Sequence, residues 1–302
     1  MVVIWSLGLL AALAASLTMA TRTSALISAN AIDNAQAEAL ADAGARLAIL
    51  GLGRSMADPP LAQPMPIDGI GRQCTLGGAG RLTIAVESES GKVDINTASD
   101  ALLQRLIEGL GAEGIAAATI VDRIADFRDA DDLRRLNGAE ADDYRKAGLA
   151  HGPKNAPFSA VEELHEVMGL SPALAERLGP LVTVYSGASG IDPRVASPDL
   201  LSVLLVPAGA QANDALKSPG SANALAAEAL PQGFVSLAAP RVFLIRSQAE
   251  TASGARFVRE AIVEARDLRS QRFAVLRWYR GQKRTALNDK STGRAQLPPC
   301  QG

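Results

Sequence analysis

Residues 1–50 read MVVIWSLGLLAALAASLTMATRTSALISANAIDNAQAEALADAGARLAIL, and their reading decides the fold. Met1 to Ala20 hold no charged side chain, and the first ionisable one is Arg22. A helix of about 20 residues rises about 30 Å, the hydrocarbon thickness of a bilayer. The helical pattern outlasts the apolar run. No proline interrupts Thr23 to Leu50, and Ala31, Ile32, Ala35, Ala39, Ala43, Leu47 and Leu50 recur near the 3.6 period of an amphipathic helix. The expectation is one continuous helix, with residues 1–22 in lipid and the remainder against a folded body. A cleaved secretory signal is the alternative, since small residues lie near Leu17 to Ala20. Such signals begin with a basic region and carry a shorter apolar run. No Lys or Arg precedes this run, which also leaves the positive-inside rule no basic flank on that side.

The rest of the chain, about 280 residues, exceeds one typical domain, so a core with an inserted or appended body is expected. The net charge of −2 hides a division. Residues 92–186 hold ten Lys or Arg against sixteen Asp or Glu, whereas residues 187–302 hold fifteen against nine. Cys74 and Cys300 are the two cysteines. A bridge between them in an oxidising compartment would contribute about 4 kcal/mol or more in the chain-entropy account, the alternative being two unpaired thiols.

Beyond the helix, Asp58-Pro59-Pro60 through Pro64 and Pro66 cannot continue it and reads as a loop. Strand alternation follows in 81–87 and returns in 241–246, 256–264 and 272–279, short sequential pieces that favour an antiparallel meander packed on one helix. Between them, residues 98–186 read as helical, in 101–109, 115–127, 139–146, 161–168 and 172–181. An all-α block that splits a sheet in sequence is an insertion. Residues 207–232, rich in Ala, Pro, Gly and Ser, read as a mobile loop. An internal echo brackets the block: Val93-Asp-Ile-Asn-Thr-Ala-Ser-Asp-Ala-Leu-Leu103 returns 98 residues later as Ile191-Asp-Pro-Arg-Val-Ala-Ser-Pro-Asp-Leu-Leu201. Each copy offers an extended piece, a serine able to cap a helix, and two leucines one turn in, which suggests a structural frame.

Catalytic signatures are sparse. His151 lies beside a Gly-Pro turn; His165 has Glu162 three residues before it, and two ligands do not close a zinc site. No phosphate-cradling loop and no nucleophile elbow is present, so an enzyme is not expected. Asp126, Asp129, Asp131 and Asp132 are the candidate metal ligands, because calcium takes closely spaced oxygens, although the spacing does not match an EF-hand. Solvated carboxylates at a helix end are the bland alternative. Two stretches, 106–124 and 164–175, resemble helix-hairpin-helix units. Phosphate binding needs positive charge, and the block is acidic, so the hairpins are expected to pack protein and no nucleic acid.

Together these pieces resemble a known family. Ile4-Trp5-Ser6-Leu7 in the apolar helix, Val93-Asp-Ile-Asn-Thr-Ala-Ser99, Ala125-Asp-Phe-Arg-Asp-Ala-Asp-Asp132, Asn137-Gly-Ala-Glu-Ala-Asp-Asp-Tyr144, Asn155-Ala-Pro-Phe-Ser-Ala-Val-Glu-Glu-Leu164 and Leu181-Val-Thr-Val-Tyr185 are similar to the K-type minor pseudopilins of bacterial type II secretion systems. The resemblance implies an α+β, pilin-like fold: a long N-terminal helix on an antiparallel sheet, with a large all-α insertion. The division expected is 1–22 for the transmembrane half of the helix, 23–97 for the first part of the pilin-like core, 98–186 for the insertion, and 187–302 for the second part with its loop and C-terminal tail. It implies a non-catalytic structural protein in the inner membrane, single-pass, with its bulk in the periplasm, at the tip of the pseudopilus. The implied partners are the I-type and J-type minor pseudopilins, the major pseudopilin and the inner-membrane platform. Most pilins carry glutamate at the fifth mature position; here no acid precedes Asp33, as K-type members have an apolar residue there. A basic leader ending in glycine is implied upstream of these residues, so processing is not read from them. Two rivals are a membrane-anchored DNA receptor of the competence type, which would carry a basic helical domain at its C-terminus, and a minor pilin of a type IV pilus.

Overall fold

The computed structural model describes residues 2–57, 65–205, 223, 227–237, 239–267, 272–281 and 300. Helix α1, Val2–Ala57, is unbroken over 56 residues, about 84 Å at 1.5 Å per residue. Its first half touches nothing: Val2 to Ile32 are exposed, including Val3, Ile4, Trp5, Leu9, Leu13 and Leu17. Several hydroxyls in this half are satisfied within the helix, Ser6 donating to Val3 O, Ser16 to Leu13 O and Thr18 to Ala14 O. That internal pairing lets polar residues sit in an apolar surround without stranding a donor. Burial starts at Ala37 and runs down one stripe through Leu40, Ala41, Ala45, Ala48 and Leu52. The stripe is alanine-rich because the helix lies close to what it covers. A Cβ on Gly44 would collide with Ser247 Oγ and crowd Leu82.

The covered element is a five-stranded antiparallel sheet in the order β1-β2-β5-β6-β7. β1 is Arg72–Thr75 and β2 Gly80–Ser88. β5 is Val242–Thr251, β6 Arg256–Asp267 and β7 Arg272–Arg280. β2 meets β5 with Gly80 opposite Thr251 and Ser88 opposite Phe243, which aims Leu82, Val86, Phe243, Ile245 and Ala249 at α1. Every second residue therefore joins the helix stripe. The strands read from alternation are present, and all four are longer than the alternation suggested. β1 was not foreseen, because four residues next to a proline-rich stretch carry too little pattern. Arg259 of β6 adds a polar clamp, giving Nε to Asp42 and Nη2 to Glu38 of α1, each at 2.6 Å.

A second body is helical: α2 Asp100–Gly109, α3 Ile115–Arg128, α4 Ala141–Lys146, α5 Pro172–Leu178 and α6 Pro198–Leu204. Residues 161–166, read as α-helix, are a 3-10 turn, and 179–181 continue α5 in the same tighter form. The echoed serines cap as their positions allow, Ser99 accepting from Leu102 N and Ser197 from Leu200 N. The extended pieces before the caps do different things. Val93–Asp94, β3, pairs in parallel with β4, Val182–Thr183, whereas Ile191 bridges to Val235. The two hairpin-like units brace each other: Arg177 of α5 donates to Leu110 O at the first turn, and Arg123 of α3 to Met168 O at the second. The apolar core of this body includes Leu102, Leu106, Phe127, Tyr144 and Leu164, and also Val93, Ile95, Ile191, Leu200, Leu201 and Leu230 from outside 98–186. The residues on both sides of the helical stretch thus pack with it rather than with the sheet. The mobile loop read over 207–232 falls largely on 207–222 and 224–226, outside the described residues.

Candidate functional site

The acidic segment picked out in the sequence sits where α3 ends and the chain turns towards α4. Asp126, on the last turn of α3, is fully buried. Both its oxygens accept from Arg135 N at 3.3 Å, so the following loop folds back over it. Asp122, one turn earlier, accepts from Asn137 N and Nδ2 at 3.0 Å. Gly138 is required here, since a Cβ would run into Asp126 Oδ2. Arg135 turns outward to an ion pair with Asp100 at 2.6 Å.

Inside this turn four oxygens stand without a partner: Asp129 Oδ1, Glu140 Oε1 and Oε2, and Asn155 Oδ1. All four can only accept. Asn155 is held in the left-handed region, with φ 50°, by donating its N–H to Phe127 O, and its amide nitrogen goes to Asp132 Oδ1 at 2.9 Å. Burial, and then Asp126, Asp129, Asp132 and Asp131, push the Glu140 carboxyl up to about 7. Burial raises Asp129 as well, with Asp131 and Asp126 adding to it, and burial raises Asp126 against the backbone N–H groups of Arg135 and Ala139. Acceptors gathered in an apolar surround cost free energy unless a proton or a cation satisfies them.

Of the four aspartates singled out in the sequence, Asp126 is buried and Asp129 half-buried, while Asp131 and Asp132 are exposed. Asp131 is occupied locally, accepting from Leu133 N. Among the described residues no three His, Cys, Asp or Glu side chains converge as a metal site. The unsatisfied donor set is of mixed type, two carboxylates and an amide. Glu140 and Asn155 escaped the sequence reading because only the fold brings each of them to the acidic turn, Asn155 through its bond to Asp132 and Glu140 through its interaction with Asp126 and Asp129.

Far from this turn, on the sheet, Cys74 Sγ is bonded to Cys300 Sγ at 2.04 Å, and Cys300 N donates to Thr75 O at 3.0 Å. The bond ties the chain's end to the edge strand β1. The other distinctive region is the bare half of α1, long and apolar enough to cross a membrane.

Comparisons with known proteins converge. Residues 82–187 match the family described as type II secretion system (T2SS), protein K. Over 104 residues the chain is 30% identical to the type II secretion system protein K of Klebsiella pneumoniae, a match covering 34% of this chain and 32% of that protein. The match thus spans about a third of the length of the curated relative. A chain in the crystal structure of the GspK-GspI-GspJ complex from the enterotoxigenic Escherichia coli type 2 secretion system superposes with a TM-score of 0.60 at 18% identity, over 87% of this chain and 99% of that one. At that identity the superposition speaks for the fold: a pilin-like helix and sheet with additional helices.

Proposed function

We propose that this chain, a member through residues 82–187 of the type II secretion system protein K family, is the minor pseudopilin that caps the tip of the pseudopilus. The carrying observation is α1, one rod that is bare and apolar in its first half and backed by a sheet in its second. A bare apolar rod suits packing in lipid and then among the helices of a filament. The reading puts residues 2–22 across the inner membrane and the sheet and helical body in the periplasm. Among the described residues, those within 23–92 and 236–281, with Cys300, form the pilin-like body, and those within 93–235 the inserted one. A bulky helical body beside the sheet would obstruct addition of a subunit above, which is what ending a filament requires. The role is structural and needs no reaction. The partners are I-type and J-type minor pseudopilins at the tip, the major pseudopilin below, and the inner-membrane platform.

The acidic turn fits calcium, a hard cation bound through oxygens, as its ligand. Asp129, Glu140 and Asn155 would hold it through their unpartnered oxygens, with Asp126 and Asp132 adding negative charge nearby. Bound there, the ion would neutralise carboxylates that otherwise repel one another. Asp122 and Asp126 meanwhile hold the loop's backbone in place. The Cys74–Cys300 bond suits the oxidising periplasm.

Tip location is tested by labelling overproduced filaments with antibody against residues 93–235. Label confined to one end is expected, and label along the length overturns the reading. Full-length protein in detergent should retain purified I-type and J-type subunits. Retention of duplex DNA at low salt, with no subunit bound, would favour the competence-type receptor instead.

A further inference from the structure

On the flank where α1 meets β6 and β7, arginines and aromatic rings alternate in a stack. Arg46 lies 5.8 Å from the Trp278 ring centre, and Arg259 lies 5.5 Å from that ring and 5.0 Å from Phe257. Arg280 closes the stack at 5.0 Å from Phe257. The middle arginine is buried and takes both nearby carboxylates, Glu38 and Asp42. Arg46 and Arg280, at the two ends, are exposed, and among the described residues no carboxylate lies within ion-pair distance of either. Their side chains are already ordered by the rings beneath them, so a partner would bind them with less loss of rotamer freedom.

The strand beside the stack is open. Among the described residues β7 pairs with β6 alone, leaving its outer backbone groups unmatched, and Val275 and Leu276 are 52% and 39% exposed. β7 carries Arg272, Arg277 and Arg280 and no acidic residue. Ordered arginines beside a tryptophan, next to an unpaired strand edge, have the composition of a binding hot spot, and the charge names its complement.

We propose that this flank docks an acidic segment of a neighbouring protein subunit, whose carboxylates meet Arg46 and Arg280 while its apolar side chains cover Trp278. The choice of neighbour, an I-type or J-type subunit, rests on the function proposed above. Full-length protein in lipid nanodiscs is titrated with purified I-type and J-type subunits, as wild type, as the double variant Arg46→Glu/Arg280→Glu, and as Arg145→Glu on the exposed face of α4. The double variant should bind one partner about tenfold more weakly or worse, mainly through slower association, and wild-type affinity should fall as salt rises. Arg145→Glu should match wild type, and an unchanged melting temperature in the double variant excludes misfolding. If wild type binds and the double variant binds equally well, or if affinity ignores salt, the docking flank is wrong while the function stands. If wild type binds neither subunit, the proposed function fails and the flank's assignment falls with it. Retention of duplex DNA that the double variant loses would assign the cations to a polyanion and equally overturn it.

Discussion

Burial and neighbouring aspartates hold the Glu140 carboxyl near 7, against 4.5 for an ordinary glutamate, so the folded chain keeps a proton there that the unfolded chain releases. The sign follows by linkage: this stabilisation is fully present below about 4.5 and is lost as pH rises through about 7. In chelator-treated buffer the melting temperature should therefore fall between about pH 5 and about pH 7.5. Calcium opposes the trend, because it binds the ionised carboxyl that the proton otherwise neutralises. It should raise the melting temperature at pH 7.5 and much less at pH 5, and Glu140→Gln should abolish both the slope and the response. A calcium-insensitive melting curve at pH 7.5 would refute the site. In the sequence, the cluster Asp129 to Asp132 was legible as an oxygen-rich turn. Its deepest acceptors were not, because Glu140 and Asn155 reach the acidic turn only through the fold. Periodicity reports which residues share a face, and it says nothing of which loops close on each other.

At the level of elements, α1 was the most legible part of the chain and the sheet nearly so, since one pattern runs the length of each. The apolar stretch and the stripe from Ala37 to Leu52 need a single helix, and the alternation in 81–87 and 256–264 needs pleated strands with one face covered. β1 and β4 were illegible because two to four residues cannot show a period, and β3 was legible only as the extended piece before its capping serine; tertiary pairing alone makes it a strand. The helix and sheet join through shape and through one clamp. Leu52 is 1% exposed in the core formed with Val86, Phe243 and Ile245, so Leu52→Ala should cost about 2–5 kcal/mol. Arg259→Ala should cost less, about 1–3 kcal/mol, because Glu38 and Asp42 are partly open to water and can be rehydrated when the guanidinium goes. Urea unfolding of the two variants checks the order. An Arg259→Ala loss larger than that of Leu52→Ala would mean that charge, not packing, seats the rod.

Across the whole molecule, two ties among several oppose separation of parts that lie far apart in sequence. The Cys74–Cys300 bond closes a loop of sequence separation 226, and Cys300→Ser should lower stability by about 5 kcal/mol, visible as an earlier urea midpoint equal to that of the reduced wild type. The second tie joins the sheet to the helical body. Lys92, buried, lies 2.8 Å from Glu89 and 3.3 Å from Glu87, and Thr183 of β4 donates to the other oxygen of Glu89. Burial pulls the ammonium's pKa down, yet Glu89 and Glu87 outweigh it and hold it above the ordinary lysine value, so the charge persists across the usual pH range. Removing that charge alone leaves Glu89 buried and unpaired, so Lys92→Met should cost about 3–5 kcal/mol and split unfolding into two steps, the bodies coming apart before either melts. Lys92→Met/Glu89→Gln should recover most of the loss, because neither charge is then stranded. Calorimetry separates these outcomes: one transition in both variants, with equal losses, would mean that the helical body's seat on the sheet does not depend on this lysine.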